Sequence, residues 1–258
     1  MKFGHVGYEG IPEADEAPST SSSLNFWVES GKTRRILMLE DAPFGAHMHP
    51  LYFWNHSFEN VVCLKKEGLG DCPICNSGEV KEYPRFIGHY SIIDMGEVIV
   101  NDETGDIDLL GYTSDKGVTY QFQRKIIPAK LGTKNKEGVL KKFQRMNLKK
   151  QGLKWTVWDV YRGGTKEASI GSEFEFIMKL DTADAVESYL RSWGCDVDIP
   201  EFSILPFNFM ELLAPWSEEQ LQNIVNSKLG SGRTAKTASN SRRVNSRTKV
   251  HIDSEDKF

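Results

Sequence analysis

Four side chains suited to a borderline metal lie within twenty residues of one another, His56, Cys63, Cys72 and Cys75, and three of the chain's four cysteines are among them. Zinc takes four nitrogen or sulfur ligands in a tetrahedron, and two thiolates separated by two residues can be aimed at one ion by a single tight turn. Cys72-Pro-Ile-Cys75 has that spacing. Eight residues, Gly68 and Gly70 among them, separate Cys63 from Cys72, enough for a loop that returns to the same point. His47 and His49 also lie upstream; His56 is nearest and follows the apolar run Leu51-Tyr52-Phe53-Trp54, so His56 is taken as the fourth ligand. A redox pair is the competing use of such a motif. Thioredoxin-type motifs open a helix in a βαβ unit, whereas Gly70-Asp71 precede this one and Asn76-Ser77-Gly78 follow it. The expectation is one structural Zn2+, because a shell closed by four protein ligands leaves no position for a reacting water.

A second constellation is electrostatic. The formal net charge is −4, yet between Tyr120 and Lys166 thirteen Lys or Arg stand against two acids, Glu137 and Asp159. A local patch, not the global sum, sets the field that a phosphate backbone feels. Aromatic residues are interleaved with these cations. Val118–Ile127 alternates as a half-buried strand, with Val118, Tyr120, Phe122, Arg124 and Ile126 on one face. Residues 134–150 read as a short amphipathic helix or a basic loop that gathers Lys141, Lys142, Arg145, Lys149 and Lys150. Lys154–Arg162 is the most aromatic strand; on period two Trp155 and Tyr161 share one face and Trp158 and Arg162 the other, one pair core and one pair platform. Single-strand binders need this mixture, since lysines neutralise phosphates and exposed rings stack on bases at about 1–3 kcal/mol each, whatever the base. The candidate DNA-binding residues are therefore Tyr90, Tyr120, Phe122, Arg124, Lys125, Lys130, Lys141, Lys142, Arg145, Lys149, Lys150, Lys154, Trp155, Trp158, Tyr161 and Arg162, in a cleft built from 86–90, 120–130, 141–150 and 154–162.

The elements that must position these groups read as mainly β with flanking helices, an α+β chain. Arg35–Leu39, Leu51–Trp54 and Arg85–Asp94 are expected strands, with the zinc loop between the second and third, and Glu173–Leu180 is another. Thr182 is placed to cap a packing helix that runs to Trp193, and Ser217 opens a last helix to about residue 229. Residues 1–30 read as a flexible arm, 31–229 as the core with a zinc-binding insertion at about 55–84, and 230–258 as a disordered tail. That tail is basic through Lys249 and ends in an acidic tip, Asp253, Glu255 and Asp256, closed by Phe258. No apolar run approaches eighteen residues and no charged-then-apolar leader opens the chain, so neither a membrane partner nor secretion is expected, and reduced cysteines fit the cytoplasm. Cys195 reads as an unpaired thiol, and the acidic turn Asn101–Asp106 lacks the glutamate that would close an EF-hand loop.

Asn55-His56 followed by a cysteine, a loop and Cys-Pro-x-Cys resembles the zinc-binding insertion of the single-stranded DNA-binding proteins of T-even phages and related tailed phages, with a shorter His-to-Cys interval. Gly152-Leu153, Val160-Tyr-Arg-Gly-Gly164 and Ile170-Gly-Ser-Glu-Phe-Glu-Phe176 are similar in succession to the core of the wider family, so the likeness covers about 34–215. The resemblance implies a five-stranded OB-fold barrel with a small zinc-binding subdomain inserted. It also implies sequence-independent binding that coats and protects single-stranded DNA during phage DNA replication, recombination and repair, in the cytoplasm of an infected bacterial host, with no catalytic residues. The acidic tip is similar to tails that recruit replication proteins such as a polymerase, a helicase loader or a recombinase. The relatives' arm is basic and supports cooperativity; this one is not. Two other classes are weighed. A zinc-containing nuclease needs paired carboxylates or histidines for Mg2+, and His47, His49 and His89 have no carboxylate partner in sequence. A zinc-ribbon adaptor for a replication or transcription protein would not need the basic aromatic strand.

Overall fold

The computed structural model describes residues 24–52, 58–78, 83–113, 119–133, 136–200 and 202–227. It is mainly β with a few helices. The strands are β1 (Thr33–Met38), β2 (Phe44–Tyr52), β3 (Phe58–Val62), β4 (Arg85–Val100), β5 (Ile107–Leu110), β6 (Tyr112–Thr113), β7 (Thr119–Tyr120), β8 (Gln123–Lys130), β9 (Gly132–Thr133), β10 (Lys136–Glu137), β11 (Thr156–Tyr161) and β12 (Glu173–Lys179). The helices are α1 (Pro73–Ser77), α2 (Val139–Lys150), α3 (Ala183–Ser192) and α4 (Phe209–Leu212), and residues 218–227 are helical too.

β4 is the spine of an antiparallel eight-stranded sheet. Sixteen residues let it serve two strands on each edge: β2 along 85–89 and β1 along 92–97 on one, β8 along 87–94 and β5 along 97–100 on the other. The exchange happens at a bulge. Arg35 pairs with Gly96 but Ile36 with Asp94, so Met95 is the extra residue and the strand bends there. Gly96 sits at φ +123, and a Cβ on it would come within 2.6 Å of the Leu110 carbonyl oxygen, so no other residue fits the bend. β11 lies outside β1 and β12 outside β11, while β3 extends β2. Among the described residues no pairing closes these strands into a barrel; the sheet is open.

Ile36-Leu-Met-Leu39 is buried throughout, as a strand covered on both faces must be. Ile36, Met38, Tyr90, Ile92, Trp158 and Val160 meet Val139, Leu140 and Phe143 of α2. Leu37, Leu39, Ile93, Met95 and Val157 meet Val186 and Leu190 of α3. Thr182 caps α3 by accepting from the Ala185 N–H, 3.1 Å, as the sequence predicts. Two buried ion pairs cross the sheet from adjacent residues of β1: Arg34 grips Asp94 of β4 with two hydrogen bonds (3.0 and 2.9 Å), and Arg35 grips Asp159 of β11 with two of 2.7 Å.

The structure departs from the sequence reading in two stretches and decides between the alternatives in a third. The strand expected over Val118–Ile127 is interrupted, because Phe122 has φ +53 and turns the chain between β7 and β8, so Tyr120 is exposed while Ile126 is buried. Residues 134–150, left open between helix and loop, form α2 from Val139 onward. Residues 24–30, assigned to the arm, belong to the core: Phe26 and Val28 are buried, and the Phe26 N–H donates to the Ile126 carbonyl at 2.8 Å. Residues 1–23 and the acidic tip Asp253, Glu255, Asp256 and Phe258 lie outside the described residues.

Candidate metal centre and cationic surface

The metal site starts from strand register. β2 and β3 pair with His49 opposite Val61, and the Cys63 N–H donates to the His47 carbonyl at 2.8 Å, so His49 and Cys63 are diagonal neighbours on one face of the ribbon. After Cys63 the chain turns tightly, Glu67 N–H to Cys63 oxygen at 3.1 Å, with Gly68 left-handed at φ +71. His47 pins this turn: its backbone N–H and its ring Nδ1 both lie 2.8 Å from Glu67 Oε1. Those hydrogen bonds hold the Glu67 carboxyl below its ordinary range. The loop returns to Cys72, the N-cap of α1, whose first residue Pro73 has no N–H to leave unpaired. Cys75 follows within that helical turn.

The four donor atoms of His49, Cys63, Cys72 and Cys75 all lie within 4.8 Å of one another. His49 Nε2 is 3.3 Å from Cys72 Sγ and 3.5 Å from Cys75 Sγ, and Cys63 Sγ is 3.5 Å from Cys75 Sγ. Tetrahedral zinc with bonds of about 2.3 Å to sulfur and 2.0–2.1 Å to nitrogen sets such atoms about 3.6–3.8 Å apart. A disulfide requires about 2.05 Å, so these thiols are not oxidised to one another, and all four cysteines are free. His49, Cys63 and Cys72 are fully buried. Burial pushes the Cys63 thiol up, against a contact from the Lys66 N–H, and pushes Cys75 up to about 12 with the adjacent sulfurs adding to it. Thiols packed in this way resist ionising until a divalent cation supplies the compensating charge. The donor set therefore fits one metal ion and is compatible with zinc.

The histidine at the cluster is His49, where the sequence favoured His56. His56 itself lies outside the described residues. With three sulfurs and His49 a tetrahedral shell is complete, which leaves no position for a second imidazole. The module packs on the rest of the chain through Leu51, Val61, Leu64 and Ile74, which meet Leu221 and Val225 of the 218–227 helix, with Trp216 and Ile224 alongside.

The expected DNA-binding residues divide by exposure. Tyr90 and Trp158 are core side chains: Tyr90 packs edge-on against Phe143 at 5.0 Å, and the Trp158 indole N–H donates to Thr156 Oγ1 at 2.7 Å. Neither ring is available to a base, which corrects the sequence reading at both positions. Phe122 and Trp155 are half-buried and pack beside α3, each from a left-handed backbone, φ +53 and +61. Tyr120, Lys130, Lys141, Arg145, Lys149, Lys154 and Tyr161 are exposed.

Several cations are committed within the protein. Lys142 Nζ donates to the Ser172 carbonyl at 2.6 Å, Lys150 lies 3.5 Å over the Phe176 ring, and Arg145 pairs with Glu137 at 2.6 Å. Arg124 stacks 4.1 Å over Phe207 and donates to the Leu205 carbonyl, while Arg162 donates to the carbonyls of Val28 and Thr165. Lys125 is half-buried, and burial lowers its pKa. Lys154 Nζ sits 4.4 Å over the Trp155 ring. The outer face of α2 is consequently the most concentrated cationic surface among these residues, five Lys or Arg in twelve residues with no acid, fastened to the sheet by Val139, Leu140 and Phe143.

Sequence reasoning weighed His49 and passed it over for His56, and it did not single out Trp27 or Tyr112. The signal for His49 was present as period-two placement on a strand with Leu51; the deciding register was not. Trp27 lay in the stretch read as an arm and Tyr112 in one assigned to no element, and they make an edge-on ring contact at 6.1 Å. None of the described helices is long and apolar enough to cross a membrane. Comparisons with protein-family models, curated proteins and solved structures return no match for the chain.

Proposed function

We propose that the protein binds single-stranded DNA without sequence preference, phosphates lying along the outer face of α2 and its neighbours Lys130 and Lys154. The observation that carries this reading is α2 itself: a helix with five cations and no carboxylate, held by three buried side chains so that Lys141 and Lys149 face solvent beside Arg145, which pairs with Glu137. A solvated helix face ordinarily mixes both signs, whereas a phosphate track needs one. The bulged β4, which pairs two strands on each edge, is suited to the wall of a partly open five-stranded OB barrel. The zinc, held by His49, Cys63, Cys72 and Cys75, is structural in this reading: it ties β2, β3 and α1 into one unit. Coating and protecting single strands during phage DNA replication, recombination and repair, with partner recruitment through Asp253, Glu255, Asp256 and Phe258, is the role that the resemblance adds.

Titration with a single-stranded oligonucleotide and with its duplex at two salt concentrations tests the proposal. Binding that favours the single strand and weakens steeply with salt is the expected result; equal binding to both, or none to either, overturns it. A protein-binding adaptor is the second reading, favoured by the exposed Leu205, Met210 and Leu212.

A further inference from the structure

At the β5 end of the sheet, away from α2, three large rings stand exposed in a row. Trp27 (48 % exposed) meets Tyr112 (46 %) edge-on at 6.1 Å, and Tyr112 stacks on Tyr120 (37 %) at 6.3 Å with 23° between the planes. Tyr112 and Tyr120 are a cross-strand pair of the small β6–β7 ribbon. Trp27 is held outward by its buried neighbours Phe26 and Val28. A cleft of about 220 Å3 opens beside the row, lined by Trp27, Gly111 and Tyr112 with Glu29, Lys32, Arg34 and Glu97.

The cations in this cleft are already neutralised. Lys32 Nζ lies 2.8 Å from Glu97 Oε1, and Arg34 is held by both oxygens of Asp94. The cleft therefore does not present net positive charge to a phosphate. It offers ring faces, with the ammonium of Lys32 and the carboxylates of Glu29 and Glu97 as polar groups at the side, and that is the chemistry of a flat, uncharged, aromatic ligand. Tyr120 lies three residues before β8, whose other end, Lys130, reaches α2; the eight residues of β8 span about 26 Å at 3.3 Å each.

We infer that Trp27, Tyr112 and Tyr120 are the base-stacking part of the nucleic-acid site, taking unpaired nucleobases of the strand whose phosphates follow the α2 cations. The inference rests on the proposed function and assigns bases and phosphates to separate surfaces joined by β8.

Oligo(dT) and an abasic oligonucleotide of equal length carry the same phosphates and differ in having bases or none. The protein should bind oligo(dT) more tightly than the abasic strand. Trp27→Ala, Tyr112→Ala and Tyr120→Ala should each weaken oligo(dT) binding by about fivefold or more and leave abasic binding and the salt slope unchanged. Tyr112→Phe and Tyr120→Phe keep the rings and should keep the affinity, which separates stacking from a fold defect. Alanine variants that bind oligo(dT) like the parent, or that lose both strands equally, overturn the inference while the function stands. Failure of the parent protein to bind either strand overturns the function and the inference together.

Discussion

Lys141 and Lys149 should control the salt dependence of single-strand binding, and Lys142 and Lys150 should not. All four are on α2, but Lys142 donates to the Ser172 carbonyl and Lys150 covers the Phe176 ring, whereas Lys141 and Lys149 are exposed. Each phosphate neutralised on a single strand contributes about 0.7 to the slope of log affinity against log salt. Replacing Lys141 and Lys149 together with Ala should lower that slope by about 1.4, which is roughly a 25-fold loss of affinity near 0.1 M salt and almost none near 1 M. The assay is oligo(dT) titration across a salt series, repeated with a second base sequence, for which the loss should be the same. Replacing Lys142 and Lys150 should instead lower stability and leave the slope within about 0.3. Equal slopes for the two double variants would refute the division, and an unchanged slope for Lys141→Ala/Lys149→Ala would move the phosphate track off α2.

Three further outcomes follow from the packing. Asp159→Ala strands the Arg35 guanidinium, which is buried, and should destabilise the protein by about 3–5 kcal/mol in urea denaturation, more than Arg35→Met/Asp159→Leu together; a loss under 1 kcal/mol would contradict the buried pair. Burial pushes His89 down to about 4 from 6.5, so the folded chain holds it neutral where the unfolded chain takes up a proton. Its contribution to stability is intact above about pH 7 and falls by roughly 3 kcal/mol as pH drops from about 6.5 to 4, and His89→Gln should flatten that part of the profile. Chelation should lower the melting temperature and raise hydrogen exchange both in 58–78 and in the 218–227 helix that packs on the module; protection that changes in neither segment would remove the structural role of the metal.

Much of the metal site was legible because its signal is local. Cys63, Cys72 and Cys75 are set by spacing, and the structure brings all three together. The histidine was not legible, since which β2 histidine meets Cys63 is set by how β2 registers against β3, a fact of pairing rather than spacing. The cationic run was readable as composition; which lysines stay in solvent depended on Ser172 and Phe176, far along the chain. Strand parity failed at a single residue, Phe122, whose left-handed backbone turns the chain between Tyr120 and Arg124. Arg34–Asp94 and Arg35–Asp159 join partners 60 and 124 residues apart, which no local pattern reveals.

Metal content of the purified chain, measured beside His49→Ala, His49→Cys and His56→Ala, tests the site most directly. One zinc per chain is expected for the parent, for His56→Ala and for His49→Cys, which restores a four-ligand shell, with loss confined to His49→Ala. Retention of zinc by His49→Ala together with its loss from His56→Ala would contradict the account.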